Sequence, residues 1–459
     1  MAATVAAALA GTTALSAYLN AKLHIRSDLN SRSIAGNSPS AIKYVTESFL
    51  RHRILTYHVL SDQATLHRPD QVFLWFEGAS WTYRQFFRDV NKLANWLMNE
   101  LGVQKHEIVA LDGANSPEYL MMWFAIEGIG ACPAYINNNL TGKSLLHCVK
   151  LCEARYLVSD RDVAHNVEPC MEELKEMSVT VHYYDPQFVV SLQDATPIPT
   201  SRNNDIMPDD TSSLIYTSGT TGLPKGTVFK RGRELVVGHS VAAYLRLKPT
   251  DRMYTCMPLY HGAAHGLCVT PLIHAGASLA LGRKFSHKTF WPEARASRAN
   301  IVQYVGELCR YLLNGPPSPL DKEHNVRMAW GNGMRPDVWE PFRQRFGIPC
   351  VNELYAATDG MGGTFNENRG EFSRYSVGVR GLIWRLTNGK SERIVKIDED
   401  LETLVRDRNG FVVQCATNEP GEVLHRLDSA DPDAGVARYY GNDSATEKRR
   451  IRDVFEKGD

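Results

Sequence analysis

Short apolar runs alternate along this chain with longer stretches whose apolar positions recur at helical spacing. Val72 to Phe76 is wholly apolar and aromatic-rich, which predicts a buried strand. Gly78-Ala79-Ser80 turns it, and Trp81-Thr82-Tyr83 leads into a helix with Phe86, Phe87, Val90, Leu93, Ala94 and Leu97 on one face. Leu101-Gly102 stops that helix, Ile108 to Leu111 predicts a second buried strand, and Pro117 opens an apolar helix through Ile126. Ala131 to Ile136 and Tyr156 to Ser159 add strands. Tyr254 to Leu281, Ile301 to Leu313 and Arg327 to Val351 continue the rhythm. A β-α-β-α order predicts an α/β fold with a mostly parallel sheet under helices. Gln193 to Thr211, with Pro197, Pro199 and Pro208, reads as a linker. After about Gly381 the pattern changes to short strands with charged turns, such as Arg393 to Ile397 and Phe411 to Ala416. No internal repeat appears.

The N-terminus differs from the rest. Met1 to Ala21 carries no charged side chain and is rich in alanine, and Lys22, His24 and Arg26 follow. It lacks the basic start of a secretory signal. It is long enough to span a bilayer, but its Ala, Thr and Ser content makes it a marginal span. The expectation is a membrane anchor or in-plane helix over 1–26, with a solvated helix as the alternative.

At 459 residues the chain is too long for one compact core, so two or three subdomains are expected. The boundaries read as 27–200, 201–380 and 381–459, the first two α/β and the last β-rich. A formal net charge of zero argues against a nucleic-acid binder that relies on bulk charge. Nine scattered cysteines without a Cys-x-x-Cys pair point to a reducing, intracellular compartment. Cys148 and Cys152 fit core packing on a helix. The terminal Glu456-Lys457-Gly458-Asp459 is not a Ser-Lys-Leu-type address.

The densest chemical signal is Tyr216 to Gly226, Tyr-Thr-Ser-Gly-Thr-Thr-Gly-Leu-Pro-Lys-Gly. The hydroxyls of Thr217, Ser218, Thr220 and Thr221 and the N–H groups freed by Gly219 and Gly222 can donate to phosphate oxygens. Lys225 adds a positive charge. The order is not that of a Walker A loop, which needs Gly-Lys-Ser/Thr after a fixed gap. Downstream, Asn352-Glu353-Leu354-Tyr355-Ala356-Ala357-Thr358-Asp359-Gly360 follows an apolar pair, Met257-Pro258-Leu259-Tyr260-His261-Gly262 lies between, and Gly331-Asn332-Gly333 opens a Gly/Pro loop. His261 and His265 are four apart, but without the Glu of His-Glu-x-x-His a zinc site is not expected.

Together these stretches resemble the acyl-adenylate-forming superfamily. The loop Gly331 to Trp339 resembles the branch of fatty acid transport proteins, also called very-long-chain acyl-CoA synthetases. The similarity runs from about Leu60 to the end and includes Trp81-Thr82-Tyr83 and Asn115-Ser116-Pro117-Glu118-Tyr119. The resemblance implies the large domain of that fold, with two mostly parallel sheets covered by helices and a small distorted β-barrel. It also implies a C-terminal cap domain after the segment that Arg452 to Asp459 resembles; the expectation is a large domain without that cap, whether as a fragment, a truncated product or a short protein.

The resemblance further implies roles. Tyr216, Thr217, Ser218, Gly219, Thr220, Thr221, Gly222 and Lys225 would cradle ATP phosphates. Gly331, Asn332, Gly333, Tyr355 and Ala356 would frame adenine. Thr358 would contact the α-phosphate, and Asp359, where the family has glutamate, would hold Mg²⁺ directly or through water. Tyr260 and His261 would border the acyl pocket. Lys225, Thr358 and His261 are the expected catalytic set. The implied reaction joins a long- or very-long-chain fatty acid to AMP and then to CoA, with ATP and Mg²⁺, in a membrane-associated protein. Two alternatives stay open: an acyl or aryl acid activator of a secondary-metabolite pathway, and a catalytically silent lipid-handling or regulatory protein.

Overall fold

The structure is a computed structural model that describes residues 2–32, 34, 38–217, 222–398, 400–401, 403–428 and 436–458, with side chains from residue 10 onward. Two strands, β1 (Val72–Phe76) and β2 (Ala79–Thr82), form an antiparallel pair at one edge of a large sheet. The next six strands build a second sheet: β3 (Ile108–Asp112), β4 (Cys132–Ile136), β5 (Tyr156–Asp160), β6 (Thr180–Tyr184), β7 (Thr211–Thr217) and β8 (Lys225–Lys230). Its order is β6-β5-β3-β4-β7-β8, parallel except for the β7–β8 hairpin. The chain then returns to the first sheet with β9 (Arg252–Thr255), β10 (Ser278–Leu281), β11 (Ile301–Val305), β12 (Met328–Asn332), β13 (Val351–Ala356) and β14 (Gly363–Asn368). The completed order is β14-β13-β12-β11-β9-β10-β1-β2, parallel from β13 to β1. Each sheet therefore draws strands from both sides of residue 200.

The elements form for reasons legible in the chain. Thr82 accepts from the Gln85 N–H at 3.2 Å while Gln85 Oε1 accepts from the Thr82 N–H at 2.9 Å, a capping box that starts helix Tyr83–Asn99. Phe86, Phe87, Val90, Leu93, Ala94 and Leu97 are all buried on that helix, as their spacing predicts. Ser116 accepts from the Tyr119 N–H at 3.0 Å and Pro117 occupies the first turn, which starts the almost wholly buried helix Pro117–Gly128. The proline-bearing stretch before β7 is irregular but pinned. Asn95 Nδ2 donates to the carbonyls of Asp194 and Thr196, and the Ile198 N–H donates to Tyr57 Oη at 3.1 Å. It carries the chain from the β6 edge across to β7.

Three expectations change. After Gly381 the described residues hold no closed barrel. They hold two two-stranded ladders, β15 (Glu392–Val395) with β18 (Glu422–His425) and β16 (Ile397–Asp398) with β17 (Thr403–Leu404). Barrel closure needs continuous, staggered pairing around a ring, which strands this short do not supply. Phe411 to Ala416 makes isolated bridges, Arg406 to Val412 and Val395 to Gln414, rather than a strand. At the N-terminus, Ala2–Leu23 is one helix, yet no helix among the described residues is long and apolar enough to cross a membrane. Gly11, Thr12, Thr13, Ser16 and Asn20 dilute its apolar content. All nine cysteines are free and eight are buried, Cys148 and Cys152 among them.

Candidate active site

The β7–β8 hairpin presents the flanks of the proposed phosphate loop. Tyr216 pairs with Gly226 and Thr217 with Lys225. Ser218, Gly219, Thr220 and Thr221, the centre of that loop, lie outside the described residues. Gly222 has φ of 88°, a conformation that glycine adopts without strain. The Tyr216 hydroxyl donates to the Cys148 carbonyl at 2.7 Å, so this side chain braces the hairpin against helix Gly142–Leu151. Burial raises its pKa far above the ordinary tyrosine value. The hydroxyl of Tyr216 is therefore engaged as a strut between the hairpin and that helix.

Gly331, Asn332 and Gly333 end β12. A Cβ on Gly331 would lie 2.0 Å from the Tyr304 carbonyl oxygen, and one on Gly306 would lie 1.7 Å from that of Gly333. Only glycine permits these strand ends to approach so closely. The buried Glu353 on β13 ties the arrangement together. It accepts from the Met334 N–H at 3.1 Å and from the Tyr304 hydroxyl. Burial pushes its carboxyl up to about 7, opposed by these hydrogen bonds. Tyr355 and Ala356 follow at the end of β13, both exposed, and pair with Thr364 and Gly363.

Asn115, just before helix Pro117–Gly128, clamps the loop after β9. Its Nδ2 donates to the carbonyls of Met257 at 3.0 Å and Gly282 at 2.9 Å, and its Oδ1 accepts from the Leu259 N–H at 2.8 Å. That loop carries Tyr260, whose hydroxyl accepts from Asn139 Nδ2 at 3.3 Å, and His261. His261 Nδ1 accepts from the Ala263 N–H at 3.1 Å, so the neutral ring carries its hydrogen on Nε2. Burial lowers its pKa, which keeps it neutral. A Cβ on Gly262 would lie 3.4 Å from Thr358 Oγ1 and 3.7 Å from Ile215 Cδ1, so this loop, the Thr358 turn and β7 meet.

Asp359 follows on that turn. Its Oδ2 accepts from the Tyr439 hydroxyl and lies 3.7 Å from Arg449 Nη1. Arg449 Nη2 donates to the Asp359 carbonyl at 2.5 Å and Arg233 Nη2 to the Gly360 carbonyl at 3.0 Å. Lys225 Nζ is 5.1 Å from the centroid of the Tyr439 ring. Asp359 thus sits among cations, and one of its oxygens is engaged. Such a group suits Mg²⁺ only as one ligand of an ion whose other oxygens come from a triphosphate and water. The His265 N–H donates to the His261 carbonyl at 3.1 Å, and its ring enters the core. His265 is fully buried, with Nε2 2.9 Å from Glu234 Oε1. Glu127, Glu234 and His265 form the one metal-like group among the described residues. Glu127 accepts from Thr56 and Trp123 and Glu234 from Ser212, while Glu234 Oε1 and the His265 ring nitrogens make no hydrogen bond with the described residues.

The structure therefore gathers Lys225, Thr358, Asp359, His261 and the Gly331–Gly333 loop at the carboxyl ends of β7, β9, β12 and β13. In open α/β sheets that is where ligands bind. Reading by residue type left Asn115, Glu353, Arg233, Tyr439 and Arg449 without roles. For Glu353 a signal exists, since an acid in the otherwise buried run Val351–Leu354 needs partners. Tyr439 and Arg449 carry no local signal.

Comparisons with known proteins bear on the family and the fold. The AMP-binding enzyme family matches residues 60–428. The very long-chain fatty acid transport protein of Cochliobolus heterostrophus is 53% identical over 458 residues, covering 99% of this chain and 71% of that protein. The medium/long-chain-fatty-acid–CoA ligase FadD6 of Mycobacterium tuberculosis is 34% identical over 411 residues, covering 87% of this chain and 64% of the ligase. Among solved structures, ATP-bound MatB from Rhodopseudomonas palustris shares the fold with a TM-score of 0.69 at 19% identity, covering 87% of this chain and 74% of MatB. The two sheets match that fold, and the chain belongs to the AMP-binding enzyme family.

Proposed function

We propose that the chain activates a long- or very-long-chain fatty acid with ATP, first to acyl-AMP and then to acyl-CoA. One observation carries the reading. The Lys225 hairpin, the Thr358–Asp359 turn and the His261 loop converge at one set of strand ends, in a chain 53% identical to a very long-chain fatty acid transport protein. The first step brings a carboxylate against a polyanion. It needs donors and charge neutralisation more than a protein nucleophile. Lys225, Thr217 and the loop 218–221 would hold the β- and γ-phosphates, and Thr358 would donate to the α-phosphate. Mg²⁺ would arrive with ATP and supply charge neutralisation, with Asp359 as its protein ligand. Gly331–Gly333 and Tyr355 would frame adenine. His261, neutral and fixed through Nδ1, would offer Nε2–H beside the acyl carboxylate. The stretches 27–200 and 201–380 are proposed as subdomains that share the two large sheets, with 381–459 as a third that holds the two-stranded ladders. Formation of acyl-AMP and acyl-CoA, read by mass spectrometry, tests the proposal.

Membrane association is part of the same reading. Leu15, Tyr18 and Leu19 are exposed on helix Ala2–Leu23, which is not apolar enough to cross a bilayer and would attach peripherally. A surface-bound chain is released from membranes by alkaline carbonate. Retention in the carbonate pellet would contradict this mode of attachment.

A further inference from the structure

Tyr439 stands between the two motifs that a metal-bound triphosphate would have to join. Its main chain bridges Thr227 on β8, next to hydrogen bonds from the Val228 N–H to the Arg438 carbonyl and from the Tyr440 N–H to the Gly226 carbonyl, both 2.8 Å. The segment thus pairs with β8 at one antiparallel bridge flanked by these two hydrogen bonds. From there the Tyr439 ring lies 5.1 Å from Lys225 Nζ, and its hydroxyl donates to Asp359 Oδ2. Thr446 Oγ1 accepts from the Tyr439 N–H at 3.1 Å, which ties the residue to helix Asp443–Glu447. Arg449, just beyond that helix, completes the contact. Its guanidinium carbon is 5.7 Å from the same ring, and its nitrogens reach both the side chain and the carbonyl of Asp359.

We infer that Tyr439 and Arg449 are positioning residues that hold the Asp359 carboxylate in the nucleotide-free site, and that a magnesium-bound triphosphate must take that carboxylate from them. The inference rests on the reading of Asp359 as the metal-facing residue. Tyr439 and Arg449 compete with the metal ion for Asp359. A hydroxyl donor and a cation both engage Oδ2, one of the two carboxylate oxygens open to a divalent ion. Mg²⁺ also holds its water tightly and binds through only one or two carboxylates plus phosphate. At such a site each competing donor raises the magnesium concentration needed. Aspartate, one methylene shorter than glutamate, reaches Tyr439 from the turn and is held there.

The test titrates Mg²⁺ against binding of a fluorescent ATP analogue to the full chain, followed by anisotropy. In Tyr439→Phe the ring stays and only the donor is lost. The Mg²⁺ concentration at half effect is expected to fall about tenfold, the lower end of what a hydrogen bond to a charged group is worth. Binding without Mg²⁺ should stay within about twofold, because the phosphate donors are untouched. Arg449→Gln should shift the midpoint in the same direction, and Arg449→Lys, which keeps the charge, should restore it. A merely structural role would alter affinity with and without Mg²⁺ alike. An unchanged midpoint in Tyr439→Phe, with nucleotide still bound, overturns the inference and leaves the proposed function standing. Absence of nucleotide binding to the unaltered chain overturns both.

Discussion

Glu353 shows how a single buried side chain can shape a site without touching a substrate. It is fully buried, accepts only from donors, and holds the Gly331–Met334 loop to β13. Burial raises its folded pKa to about 7 from an ordinary value of 4.5. In the window between those values the folded protein keeps a proton that the unfolded chain has released. Its contribution to stability is therefore full below the lower value and is lost as pH rises toward 7. Glu353→Gln should flatten the fall in Tm between about pH 5 and 7, because the ionisable group is gone. It should also weaken nucleotide binding at higher pH, where the ionised carboxylate best holds the loop. Parallel Tm–pH curves for the two proteins would contradict this account of Glu353.

At the scale of elements, the N-terminal region is stitched to the far end of the chain by one carboxylate. Asp28, on the short helix Ile25–Ser31, accepts from the N–H groups of Gly381 at 2.6 Å, Ile383 at 2.8 Å and Trp384 at 3.1 Å. It thereby caps helix Leu382–Asn388 from outside, because Gly381 has no side chain to do so. Asp28→Ala should cost about 1–2 kcal/mol, the usual loss for a cap. Amide exchange should quicken first at residues 381–384. Unchanged exchange there would show that the cap carries no weight.

The same scale shows what the sequence makes legible. Runs such as Val72–Phe76 and the helix of Phe86 to Leu97 are visible because burial imposes a period on neighbouring residues. The two-sheet order is not visible. β1 joins β10, and β7 joins β4, across long stretches of chain, and nothing in β1 or β7 encodes its partner. The end of the chain misleads in the opposite way. Phe411 to Ala416 is apolar-rich like a strand but is paired at isolated positions only.

For the molecule as a whole, the two interlocked sheets bring distant motifs to one place. Lys225 and Asp359 are far apart in sequence and are joined through Tyr439, which is further still. The motifs themselves were legible, since glycine, hydroxyl and lysine chemistry is concentrated in each. Their neighbours Asn115, Arg233, Tyr439 and Arg449 were not, because each acts by contacting another segment's main chain or carboxylate. Tyr439 and Arg449 also lie beyond residue 428, where the family match ends.

The central claim is that this assembly adenylates fatty acids. The most direct test incubates the full chain with ATP, Mg²⁺, CoA and fatty acids of graded length, and reads the products by mass spectrometry. The expected result is acyl-AMP and acyl-CoA from long chains, with Lys225→Ala lowering acyl-AMP formation by about 10²-fold or more, as removal of a preorganised charge does. Folded, nucleotide-binding protein that forms neither product would contradict the claim.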